Sequence, residues 1–203
     1  MREYGPFLNV PCVHGVSFDG QHIWFAAGDR LLAVAPDSGE LVRALEVRAQ
    51  AGTAFDGRHL YQLADGAIHK LDPATGRVLA RIPAPGEALS GMAWAEGYLW
   101  IGHYGAGEIY QVDPQTGAVV RTLTSDRFVT GVTWVQGELW HGTQDGSHSE
   151  LQQLEPQSGR VLRRLELPQG AIVSGLESDG DELFYCGGAS TGKIRAVRRS
   201  RRP

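Results

Sequence analysis

Five segments of this chain repeat one pattern, and that repeat constrains the fold more than any other feature. They occupy residues 15–24, 52–61, 91–100, 131–140 and 175–184. Each sets a glycine nine positions before an aromatic residue, and the leading glycines stand 37, 39, 40 and 44 residues apart. A period near 40 residues has the length of one four-stranded propeller blade. A second mark follows in four units: Ala35-Pro-Asp-Ser-Gly39, Asp72-Pro-Ala-Thr-Gly76, Asp113-Pro-Gln-Thr-Gly117 and Glu155-Pro-Gln-Ser-Gly159. Proline presets the turn and glycine supplies the positive φ that closes it. The flanking segments alternate and are rich in β-formers, and no long amphipathic helix is legible.

These marks predict an all-β fold: a five-bladed β-propeller of four-stranded antiparallel blades, named A to D from the axis outwards. The fifth unit has strands A, B and C and then ends in arginines. The segment at about residues 4–10 is therefore expected to supply its D strand and close the ring, which removes an exposed sheet edge. One propeller domain is expected over residues 1–197, with a basic tail at 198–203.

Composition narrows the classes of function. The 203 residues carry a formal net charge of -4, which gives no overall attraction to nucleic acid. Arg195, Arg198, Arg199, Arg201 and Arg202 cluster at the end and read as a solvated terminus. The first residues lack the apolar core of a secretory signal, and no run is apolar enough to span a bilayer. A cytoplasmic monomer without nucleic-acid or membrane partners is expected. Cys12 and Cys186 are too few and too far apart for a disulfide framework or a zinc motif.

The two faces of such a ring differ. The A–B and C–D turns repeat almost unchanged, whereas the B–C loops lengthen and become polar in units three to five. A site is expected on the irregular face, at the axial mouth. Four of the seven histidines, His14, His103, His141 and His148, fall there by position. His22, His59 and His69 read as structural. The spacing suggests His14 and His141 as acid and base with Glu177 as their orienting carboxylate. His103, Tyr104, Gln144, His148, Tyr185 and Cys186 are the candidate substrate contacts. No cofactor is expected, with a divalent metal held by the axial histidines as the alternative. The aromatics at Trp24, Tyr61, Trp100, Trp140 and Phe184 share one repeat position and read as interblade packing.

His14-Gly-Val-Ser-Phe-Asp-Gly20, Leu60-Tyr-Gln-Leu63 and the Asp-Pro-x-Thr-Gly turns resemble the glutamine cyclotransferases, the plant-type glutaminyl cyclases. The turns also resemble those of quinoprotein-like and streptogramin-lyase-like propellers. The resemblance implies a five-bladed propeller that cyclises N-terminal glutamine. The acidic positions of that family are replaced here, at Ala51, at His103-Tyr-Gly105 and at Thr130-Gly-Val-Thr133. The expected function is small-molecule acid–base chemistry of lyase, cyclase or isomerase type in the axial mouth. A non-enzymatic ligand- or protein-binding propeller and a glutamine cyclotransferase relative are the alternatives.

Overall fold

The computed structural model describes residues 2–145 and 148–199. Arg201 and Arg202 of the expected tail, and Gly146 and Ser147 of the fourth B–C loop, lie outside the described residues. Twenty strands build five four-stranded antiparallel sheets, and no helix occurs among the described residues. The chain opens with β1 (Arg2–Tyr4). Blade 1 is β2 (Val16–Phe18), β3 (Ile23–Ala26), β4 (Leu31–Val34) and β5 (Leu41–Leu45). Blade 2 is β6 (Thr53–Phe55), β7 (Leu60–Ala64), β8 (Ala67–Leu71) and β9 (Val78–Pro83). Blade 3 is β10 (Leu89–Ala95), β11 (Tyr98–His103), β12 (Glu108–Val112) and β13 (Val119–Thr124). Blade 4 is β14 (Val132–Val135), β15 (Glu138–Asp145), β16 (His148–Leu154) and β17 (Val161–Glu166). Blade 5 is β18 (Gly175–Ser178), β19 (Leu183–Gly187) and β20 (Ile194–Arg198), completed by β1.

The N-terminal strand does close the ring, pairing Arg2 with Ala196 and Tyr4 with Ile194. It lies earlier than the expected 4–10. Gly5 takes φ 87° and Pro6 has no N–H to give a ladder, so pairing ends at Tyr4. Ion pairs from Glu3 to Arg195 and Lys193 fasten the closure. At the other end Arg199 is held against blade 4 rather than solvated. β20 runs to Arg198, and the buried Arg199 donates to Gln136 Oε1 at 2.6 Å and to Glu138 Oε2 at 3.2 Å.

The five leading glycines hold the blades together at the axis. A Cβ on Gly131 would lie 2.5 Å from the backbone N of Leu176, and one on Gly175 would lie 2.4 Å from the carbonyl oxygen of His14. Gly15, Gly52 and Gly91 meet the backbone of the following blade equally closely. Inner strands that approach to this distance admit no side chain. The sequence period is therefore set by a ring of five backbone contacts.

Aromatic pairs seal the blade interfaces further out. Tyr61 stacks on Trp94 at 5.4 Å, and Trp100 meets Trp134 at 5.2 Å. In each case a B-strand ring packs on the A strand of the next blade. Blade 5 departs from the rule. Its A–B turn is one residue longer, so Tyr185 rather than Phe184 opposes Glu177, as Trp140 opposes Thr133 and Trp24 opposes Ser17. Tyr185 then packs on Phe18, the A-strand aromatic of blade 1, at 5.6 Å. Ser178 stands where the other A strands carry an aromatic. Phe184, on the opposite side of β19, fills the space and meets Trp140 at 5.2 Å.

Candidate functional site

The axial mouth is a cavity of about 360 Å³ lined by residues of all five blades. Its floor is a second ring, made by the residue just before each glycine: His14, Ala51, Ser90, Thr130 and Ser174. Each occupies the entrance of its A strand, so the pleat of five equivalent strands brings them together. Gln50, Tyr104 and Gln144 add to the wall. The lining contains no Asp, Glu, Lys or Arg.

Three of these floor residues carry hydroxyls, and the hydroxyls differ. Ser90 Oγ donates to the Val129 carbonyl at 2.6 Å. Ser174 Oγ donates to the Val13 carbonyl and accepts from the Ala189 N–H at 3.0 Å. Both thereby tie their blade to the next. Thr130 is 6% exposed, yet its Oγ1 is buried without any hydrogen-bond partner. A buried hydroxyl with no partner costs on the order of 1–3 kcal/mol. His14 is part-buried in the same floor, with Nδ1 3.8 Å from Cys12 Sγ. Desolvation by burial holds its pKa below the ordinary histidine value, so the imidazole is neutral near pH 7 and offers a lone pair.

His14, Tyr104 and Gln144 thus reach the mouth as expected, and the other proposed site residues do not line it. The proposed catalytic set does not converge. His141 is fully buried and turns away from the mouth because it alternates with Trp140, whose ring faces blade 5. Its Nδ1 lies 3.0 Å from the Gly142 carbonyl oxygen, and its Nε2 lies 3.1 Å from Ser125 Oγ and 3.2 Å from Gln152 Oε1. Burial pushes its pKa down. Its counterpart in blade 2 is Gln62, which bonds Thr53 and the main chain in the same manner.

Glu177 lies three residues beyond Ser174 on β18, about 10 Å along the strand and on the far side of the glycine ring. It accepts from Thr133 Oγ1 at 2.5 Å, from the Ser178 N–H at 2.8 Å and from Ser17 Oγ at 3.4 Å. Burial raises its pKa to about 7 against these bonds. It joins the inner strands of blades 4, 5 and 1 and orients no mouth histidine.

The remaining candidates have local roles. His103 Nδ1 accepts from the Ala106 N–H at 3.0 Å and so caps its own B–C turn. His148 lines a separate cavity with Arg127, Glu150 and Glu166. Tyr185 is interblade packing, and burial lifts its pKa to about 12. Cys186 occupies the position of His141 in blade 5, fully buried, with its thiol likewise pushed up to about 12. Both cysteines are free. His22 and His59 sit in A–B turns against Asp19 and Asp56. Among the described residues no group of three or more His, Cys, Asp and Glu could hold a metal ion.

Sequence reasoning missed Thr130, Ser90, Ser174 and Gln50. Their common signal was available: each immediately precedes a leading glycine, or lies one residue before that position.

Fold and site define a five-bladed propeller with an uncharged axial cavity. A model of the PQQ_2 family, described as outer membrane protein assembly factor BamB, matches residues 19–181. That is most of the chain, and the chain belongs to this family. Among solved structures it is similar to the glutaminyl cyclase of Myxococcus xanthus, with 18% identity and a TM-score of 0.74 over 98% of this chain and 96% of that one. It is also similar to the hydrazine synthase of Kuenenia stuttgartiensis, at 17% identity and a TM-score of 0.56, where it covers 88% of itself and 56% of that chain. The WD40 β-propeller domain of Doa1 is similar at 16% identity and a TM-score of 0.57, over 92% of this chain and 63% of that one. At these identities the likeness is one of fold. Comparison with curated proteins gives no match.

Proposed function

We propose that the axial mouth binds a small polar ligand and that His14 is the group that takes or gives a proton there. The observation that carries this reading is the contrast among the floor hydroxyls. Ser90 and Ser174 are satisfied by the next blade, while Thr130, which lines the mouth, keeps its Oγ1 buried beside Gly142 with no partner. Turned towards the mouth, this hydroxyl would gain from a ligand the hydrogen bond that it lacks within the protein. Gln50 and Gln144 line the same cavity and carry amide groups. The three-residue catalytic set gives way to His14 alone, because His141 and Glu177 face other partners.

Propionamide is a suitable probe. Saturation-transfer NMR should show it bound to the wild type and at least five-fold weaker on Thr130→Val. Equal signal from the two proteins removes the reading.

A cyclase-type reaction is the second reading, favoured by the Myxococcus xanthus glutaminyl cyclase, which this chain matches over nearly the full length of both. In such a closure an N-terminal amine attacks the side-chain amide carbon, a C–N bond forms, and ammonia leaves. His14 would take the amine proton and return it to the ammonia. Ammonia release from a glutaminyl dipeptide should then fall at least a hundred-fold in His14→Ala. Release that is undetectable in the wild type, or unchanged in the variant, eliminates this second reading and leaves the first.

A further inference from the structure

We propose that the ligand of the axial mouth is bipartite: an uncharged polar head enters the mouth, and a planar aromatic tail lies in the adjoining cleft against Phe128. This rests on the mouth being a binding site, and it adds the chemical class of the ligand.

The cleft is a second cavity, of about 460 Å³, between the B–C turn of blade 3 and the segment leading to blade 4. Residues 105–107 form one side and Ser125, Asp126, Arg127 and Phe128 the other. Gln144 lines both this cleft and the mouth, so the two spaces adjoin. Tyr104 faces the mouth and Phe128 the cleft, and their rings stack at 5.0 Å with an interplanar angle of 15°. They are 46% and 48% exposed, the two aromatics among the large hydrophobic side chains that the described residues expose. Four other ring pairs, Phe18–Tyr185, Tyr61–Trp94, Trp100–Trp134 and Trp140–Phe184, close blade interfaces. This one holds a flat face in solvent, beside a cavity, at the edge of the uncharged mouth. Such a face gains both area and ring–ring attraction from a planar partner.

The chemistry of the lining selects the two halves. The mouth has no carboxylate, lysine or arginine, and its histidine is kept neutral by burial, so a charged head would lose its hydration without gaining a counter-charge. The charges of the cleft are paired within the protein: Asp126 with Arg164, and Arg127 with Glu150. Gly105 presents no side chain, and a Cβ there would meet nothing closer than 3.9 Å. The cleft is left open for a flat group.

Calorimetric titration with phenylacetamide and propionamide separates the halves. Phenylacetamide should bind the wild type about ten-fold tighter than propionamide. Phe128→Ala should remove that advantage and leave propionamide unchanged. Phe128→Leu, which keeps an apolar wall without a ring, should retain part of it. Thr130→Val should weaken both probes alike. Equal affinities in the wild type, or an advantage that survives in Phe128→Ala, overturns the bipartite ligand while propionamide binding keeps the mouth. No binding of either probe overturns both.

Discussion

Two rings of residues lie on either side of the glycine ring, three positions apart on the same five strands. Above it stand His14, Ala51, Ser90, Thr130 and Ser174; below it stand Ser17, Ala54, Ala93, Thr133 and Glu177. The lower ring is matched from within: its carboxylate takes hydrogen bonds from the neighbouring blades and from its own strand. The upper ring leaves a hydroxyl unmatched and opens on a cavity. The comparison separates polar residues that complete the fold from polar residues that wait for a partner. Position in the repeat does not distinguish them; hydrogen-bond partners do.

The constriction between the rings gives the largest expected effect. Gly131→Ala places a methyl 2.5 Å from the Leu176 backbone, and inner strands cannot yield without opening the ring. Urea denaturation should show a loss of roughly 3 kcal/mol or more. A loss under 1 kcal/mol would mean that the blades are not in backbone contact.

Glu177 comes next. Its pKa rises from 4.5 to about 7 on folding, so between those values the folded chain binds more protons than the unfolded one. Stability then falls as pH rises through that window, and the loss is complete above it. Glu177→Gln stays uncharged. It should exceed the wild type by roughly 1–3 kcal/mol at pH 8 and differ little at pH 4. Melting curves at the two pH values check this, and parallel curves for the two proteins would contradict it.

The upper ring supplies a smaller and sharper test. Ser174→Ala removes two hydrogen bonds and should cost about 1 kcal/mol. Thr130→Val removes none and should leave stability within roughly 0.5 kcal/mol of the wild type. If the two cost the same, the Thr130 hydroxyl is structural and the contrast at the mouth disappears.

An unmatched group on the turn face completes the series. Trp140 Nε1 donates to Glu138 at 2.9 Å and Trp24 Nε1 to Asp19 at 2.7 Å, whereas Trp100 Nε1 is buried without a partner. Tyr98 stands in blade 3 where blade 4 has Glu138. Tyr98→Glu should stabilise by about 0.5–1.5 kcal/mol, read as a raised Tm. No gain would show that this face tolerates an orphan donor without cost.

The sequence by itself determined the number of blades, the strands within them and the closure by an N-terminal strand. Glycine at the axis and the Pro-x-x-Gly turn are backbone requirements, and each recurs wherever the backbone geometry recurs. The sequence also located the irregular face and placed His14, Tyr104 and Gln144 at its mouth. Only the tertiary structure decided which way the other polar side chains point. Direction in a strand has period two and depends on pairing register, so one extra residue in the A–B turn of blade 5 put Tyr185 where spacing had placed Phe184. His141 lies one residue from a correctly read aromatic and for that reason faces the opposite side. Whether a hydroxyl is satisfied depends on a carbonyl in the next blade, about 40 residues away in the chain, and no local pattern records that distance.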